Sequence, residues 1–151
     1  MENEMENKRT KISRINDRVS RAFRENNDCA VLALANAQEI DYRQAHNIIR
    51  KECDRVNKDG TSSSKLFAYY SRTFEYGSSR FRGYQRMIEE SGKHKEPNQK
   101  AKTISSFCKE FPSGNWVVSI NGHVLAVVDG VPQDWTHRNN RHRVEAYWKV
   151  K

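Results

Sequence analysis

Apolar positions along the chain change their spacing twice. Polar residues dominate up to about residue 11, and the repetitive Glu, Asn and Lys content there predicts a disordered tail over residues 1–12, followed by one domain over 13–151. A short helix is expected over about residues 15–23. From Asp28 the pattern becomes an almost wholly apolar stretch, Cys29 through Ala37, which reads as a buried helix with Asp28 at its N-cap. Asp41 caps a second helix, in which Ala45, Ile48, Ile49, Cys53 and Val56 recur at helical spacing and place Cys53 on the core stripe. A turn over residues 58–64 leads into a helix over about 65–72, with Leu66, Phe67 and Tyr70 on its inner face; residues 77–79 are read as its break, and another helix is expected over about 81–90. Ile104, Phe107, Cys108 and Phe111 follow the i, i+3, i+4, i+7 rule, so Cys108 is expected in the core.

Beyond Gly114 the period becomes that of strands. Residues 116–120, 123–128, 131–135 and 144–150 are predicted strands, with Asn121-Gly122 and Asp129-Gly130 as tight-turn signals. Helices first and an antiparallel sheet afterwards make an α+β layout, with the Cys29 helix packed on the sheet.

The Asp129-Gly130 turn fixes a register. A two-residue loop pairs Val128 with Val131, which sets Leu125 opposite Asp134 and His123 opposite Thr136. His123 and Asp134 are then diagonal neighbours on one face, with Cα atoms roughly 7–8 Å apart. Asp129 is six residues from His123 along the strand, about 20 Å, and cannot orient its ring.

Composition and charge narrow the classes. A 36% hydrophobic content allows one domain with a modest core. No run of about 18 apolar residues occurs and the first 24 residues lack the apolar centre of a secretory signal, so no membrane association is expected. Three cysteines at wide spacing suit reduced thiols in a cytoplasm, the host's if the chain is phage-encoded. His137 and His142 have no neighbouring ligand set, so neither a metal nor another cofactor is expected. The net charge of +8 concentrates in residues 1–24, 80–102 and 136–151. Arg80, Arg82, Arg86, Arg138, Arg141 and Arg143 are candidate contacts to an acidic partner; solubility or a general acidic partner is the favoured reading of this charge, ahead of nucleic acid.

The residues that carry chemistry are Cys29 at a helix start and His123 at the head of a strand. A helix N-terminus stabilises a thiolate, and a neighbouring imidazolium lowers the thiol pKa further. Each residue also has an ordinary structural reading, as a buried helix-start cysteine and a strand histidine bonded to a carbonyl.

Asn27-Asp28-Cys29 before a small apolar helix, Gly122-His123 on a strand and Asp129 through Trp135 together resemble small papain-like cysteine peptidases, nearest the bacteriocin-processing-peptidase-like branch with its small phage and bacterial members. The resemblance covers roughly residues 25–136. It implies a papain-like α+β fold, Cys29 as nucleophile, His123 as general base and acid, Asp134 as the group that holds the His123 tautomer, and a protein or peptide substrate. The family usually carries a glutamine about six residues before the cysteine as an oxyanion donor; Phe23 stands there, leaving Asn26 and Asn27 as the candidate amides. A peptidoglycan hydrolase of the CHAP or NlpC type shares the Asp-Cys and Gly-His-Val elements and is the alternative within the enzymes. Outside them, the alternative is a basic protein that binds nucleic acid or a host protein.

Overall fold

The computed structural model describes residues 9–22, 28–53, 63–79, 103–120, 123–133 and 142–151. Among them the order is α1 (Lys11–Ala22), α2 (Cys29–Gln38), α3 (Tyr42–Cys53), α4 (Ser63–Thr73), β1 (Glu75–Ser79), α5 (Ile104–Glu110), β2 (Asn115–Ile120), β3 (His123–Val128), β4 (Val131–Pro132) and β5 (Ala146–Lys149). The strands form one antiparallel sheet in the order β1-β5-β2-β3-β4. The fold is α+β.

α2 is apolar on nearly every side, with Asn36 its one buried polar residue, and is accordingly buried: Ala30, Val31, Ala33, Leu34, Ala35 and Ala37 are each at most 3% exposed. Small side chains at 30, 33 and 37 let it lie close against the sheet, where Val117, Val124, Ala126, Ala146 and Trp148 complete the cluster with α3 and α4. The other face of the same strands is also covered. Trp116, Val118, Ile120, Leu125, Val127 and Tyr147 pack there against Ile104 and Phe107 of α5. Two covered faces explain why every residue of β2 is buried and why β2 and β3 read as nearly continuous apolar runs.

The β3–β4 turn has the expected geometry. Asp129 (φ 49°) and Gly130 (φ 76°) both adopt positive φ, as a two-residue hairpin turn twisted to match its strands requires, and Val128 pairs with Val131 and Val127 with Pro132. The Gln133 amide continues the ladder by donating to the Ala126 carbonyl at 2.8 Å.

Four local expectations are corrected. Residues 77–79 are not simply a helix break: Glu75–Ser79 is a strand paired with β5, and the register shifts between Tyr76 and Ser78, so Gly77 is the extra residue of a bulge. Pairing with a neighbouring strand here overrides the poor strand propensity of Gly-Ser-Ser. α1 begins at Lys11, and Arg9 ahead of it is buried, because its guanidinium pairs with Asp17 at 2.5 Å and bonds the Ser13 hydroxyl at 2.7 Å. The ordered chain thus extends into the stretch expected to be tail. Cys108 is only partly buried, at the margin of the α5 cluster. Asp28 occupies the N-cap position without capping: its side chain makes no bond to the helix amides, in contrast to Asp41, whose carboxylate accepts from the Gln44 amide at 2.8 Å. The expected helix over 81–90 and the Asn121-Gly122 turn lie outside the described residues.

α1 packs through a polar stripe. Its buried residues are Ser13, Asn16, Asp17 and Ser20, spaced i, i+3, i+4, i+7, while Ile15 is 42% exposed. Asn16 donates to Asn36 of α2 at 3.0 Å and to the Ile40 carbonyl at 3.1 Å, and this places α1 in register along α2.

Candidate functional site

Cys29 is the first residue of α2 and is partly exposed; His123 is the first residue of β3. The structure brings them together. By the sheet pleat His123 belongs with its cross-strand partner Ile120 on the α5 face. As the terminal residue of the strand, however, it directs its imidazole to the thiol of α2, with which it makes a side-chain hydrogen bond. The Val124 backbone also hydrogen-bonds the sulfur, so the thiol sits against the start of β3.

The electrostatics of this contact favour the thiolate. Burial pushes the Cys29 thiol up, but the His123 hydrogen bond, the Val124 backbone hydrogen bond and the charge of His123 together outweigh it. The Asp28 charge opposes them, and the net result is a thiol held below its ordinary range. Cys108 behaves oppositely. With no compensating partner, burial alone pushes it up to about 11.

Beside the thiol and farther along α2 is a set of groups that hydropathy does not mark. Asp28, 5% exposed, accepts hydrogen bonds at one carboxylate oxygen from the Ser20 hydroxyl of α1 and from the Tyr42 hydroxyl of α3, the latter at 2.8 Å. Tyr70 of α4 is fully buried and its hydroxyl has no hydrogen-bond partner; burial, then the charges of Cys53 and Cys29, push its pKa well up. Gln133 is buried at the end of β4. It accepts from the Thr10 amide at 2.8 Å through its side chain and from the Asn36 side chain at 3.4 Å through its carbonyl. The polar helix α1, its N-terminal approach and α2 therefore fix the residue immediately before Asp134. The available signal for Ser20 and Tyr42 was their polarity at otherwise core positions of helices, which becomes legible only once α1 and α3 are placed against Asp28.

Asp134, Asn26 and Asn27 lie outside the described residues, as do Arg80, Arg82, Arg86, Arg138 and Arg141; Arg143 is described and exposed. The register that selected Asp134 is present as far as Pro132. Among the described residues no group of three or more His, Cys, Asp and Glu is placed to hold a metal ion, and no helix is long and apolar enough to cross a membrane. Comparison of the chain with family models, with curated proteins and with solved structures finds no match.

Proposed function

We propose that the protein is a cysteine-nucleophile hydrolase with a papain-like arrangement, acting on a peptide or isopeptide bond through an acyl-enzyme. The observation that supports this reading is the hydrogen bond between Cys29 and His123, in which a half-buried thiol is nevertheless held below its ordinary pKa. A cysteine kept only for packing gains nothing from such a partner, as the raised thiol of Cys108 illustrates.

In this reading the Cys29 thiolate adds to the substrate carbonyl carbon, and the carbonyl oxygen takes the negative charge. Collapse of that adduct expels the amine, which takes its proton from the His123 imidazolium, and leaves a thioester on Cys29. Neutral His123 then removes a proton from water, whose oxygen attacks the thioester; the acid product departs and the proton returns to the Cys29–His123 pair. The amide at the start of α2 supplies one oxyanion donor, and Asn26 or Asn27 the second. Asp134, one residue beyond the pinned Gln133, holds the His123 tautomer.

The test uses a peptidyl vinyl sulfone and a panel of peptide and isopeptide reporters. Expected are covalent modification confined to Cys29, and its loss in His123→Ala with Cys29 intact. Modification of His123→Ala at the wild-type rate would show that the imidazole does not activate the thiol.

A further inference from the structure

A buried carboxylate one residue from a nucleophilic thiol is an unfavourable neighbour unless something fixes where its charge points. At the start of α2 the amides of residues 29–31 have no acceptor within the helix, and an aspartate at the N-cap ordinarily turns its carboxylate onto them. Asp28 does not. Its side chain makes no capping bond, and the oxygen Oδ2 instead accepts the hydroxyl protons of Ser20 and Tyr42, which approach from two different helices. Both donors are buried, at 5% and 1% exposure, and so is the carboxylate. The Asp28 carbonyl still accepts the first helical bond, from the Leu32 amide at 3.0 Å, so the backbone is in the capping position and only the side chain is diverted.

We infer that Asp28 is a positioning residue, whose carboxylate is drawn off the first turn of α2 by Ser20 and Tyr42 so that the helix amides remain available to negative charge at Cys29. This rests on Cys29 being the nucleophile. Released from the two hydroxyls, the carboxylate is expected to rotate onto the Ala30 or Val31 amide, as aspartates at N-caps do. It would then consume a donor and bring its charge nearer the sulfur. Among the described residues, the other titratable groups that act on this thiol or feel its charge are His123 from β3 and Tyr70 from α4, with Cys53 of α3 acting on the same phenol; all of them are unchanged in the test.

The experiment measures the rate of iodoacetamide alkylation at Cys29 against pH, resolved by peptide mass spectrometry on the full chain, with circular dichroism confirming the fold of each variant. Ser20→Ala with Tyr42→Phe is expected to move the Cys29 profile up by about one pH unit, a roughly tenfold lower rate on its acid limb. Each single variant shifts it in the same direction by less, so the result does not depend on the double variant folding. Asp28→Asn keeps an acceptor for the hydroxyls and deletes the charge, and is expected to move the profile down. Opposite signs are the signature of positioning. A purely structural role predicts that all these variants shift or lose Cys29 reactivity in the same direction, and that result, or an unmoved profile in the folded hydroxyl variants, overturns the inference. If wild-type Cys29 shows no preference over Cys53 and Cys108, it is the hydrolase reading that fails.

Discussion

Two helical seams among the described residues, that of α5 with the sheet and that of α1 with α2, are built from opposite materials. α5 meets the sheet through aromatic rings: Phe107 lies 5.0 Å from Tyr147 and 5.6 Å from Trp116 between ring centroids, and Phe111 lies 4.7 Å from Trp116. α1 meets α2 through polar side chains: Asn16 bonds Asn36, Ser20 bonds Asp28 ahead of α2, and the buried Ser13 and Asp17 of the same stripe hold Arg9. Aromatic packing is energetically large and tolerant of small rotations, since tilted and edge-on pairs over a range of separations are all favourable. A polar seam contributes little net free energy per bond, but a slip of α1 along α2 breaks the Asn16–Asn36 and Ser20–Asp28 bonds at once. The first seam is suited to stability and the second to position. Cys29 and its neighbours lie at the second.

The largest expected effect separates the seams by turnover. Cys29→Ala should lower the rate on a reporter that the wild type cleaves by at least about 10⁴-fold, the scale on which removal of a nucleophile acts, while Cys108→Ala at the aromatic seam leaves it unchanged. Neither removes a large core side chain, so thermal melts should show both variants folded. Full activity in Cys29→Ala would show that Cys29 is not the nucleophile.

Next in size is a stability effect at the aromatic seam. Phe107 is fully buried, and Phe107→Ala should cost about 3–5 kcal/mol in denaturant unfolding. Asn16→Ala at the polar seam leaves the Asn36 side-chain oxygen and the Ile40 carbonyl without their donor, and should cost about 1–3 kcal/mol. The folded fraction of Phe107→Ala should still alkylate Cys29 at the wild-type rate. A site that deteriorates in step with Phe107 would erase the division of labour.

How far the sequence discloses these two seams follows from their materials. Phe107, Phe111 and Trp116 are apolar at regular spacing, so α5, β2 and β3 are all legible from period alone, and the Asp129-Gly130 dipeptide dictates the hairpin register down to Val127↔Pro132. The pair Cys29 and His123 is legible too, because a thiol at a helix start and an imidazole at a strand start are chemically marked. The polar seam is not. Ser13, Asn16, Asp17 and Ser20 are buried against polar partners elsewhere, Arg9, Asn36 and Asp28, which leaves no trace in hydropathy, and Asp28 has the sequence of a cap without performing as one. β1 was hidden for a different reason: Gly77 is a poor strand residue that serves as a bulge, and only β5 beside it makes the strand.

A smaller effect compares the thiols. Cys29 lies below its ordinary value and Cys108 is pushed up to about 11, so at pH 7 Cys29 has at least about a hundredfold larger thiolate fraction. The lower basicity of its thiolate gives back roughly half of that advantage on a logarithmic scale, leaving about a tenfold faster alkylation of Cys29 than of Cys108. Peptide-resolved iodoacetamide kinetics at pH 7 measure the ratio directly. Equal labelling of all three cysteines contradicts an activated Cys29.

The smallest effect is a change of stability with pH, and it has opposite signs at the two seams. Cys108 is raised to about 11 and Tyr147 to about 12 on folding, so the folded state holds their protons more tightly than the unfolded chain does. Their contribution is complete below the unfolded pKa of each group and is lost as pH rises towards the folded value; for Cys108 that window runs from about pH 8.5 upward. Cys29 is lowered on folding, so its contribution is present above the unfolded thiol pKa and is lost as pH falls through its lowered folded value. Denaturant unfolding at pH 8 and pH 10.5 should therefore show a loss of stability in the wild type, a smaller loss in Cys108→Ala, and a larger loss in Cys29→Ala, which lacks a thiol whose ionisation favours the folded state. Equal losses in all three proteins would mean that the two thiols do not occupy electrostatically opposite environments, and with that the contrast between the seams would reduce to packing alone.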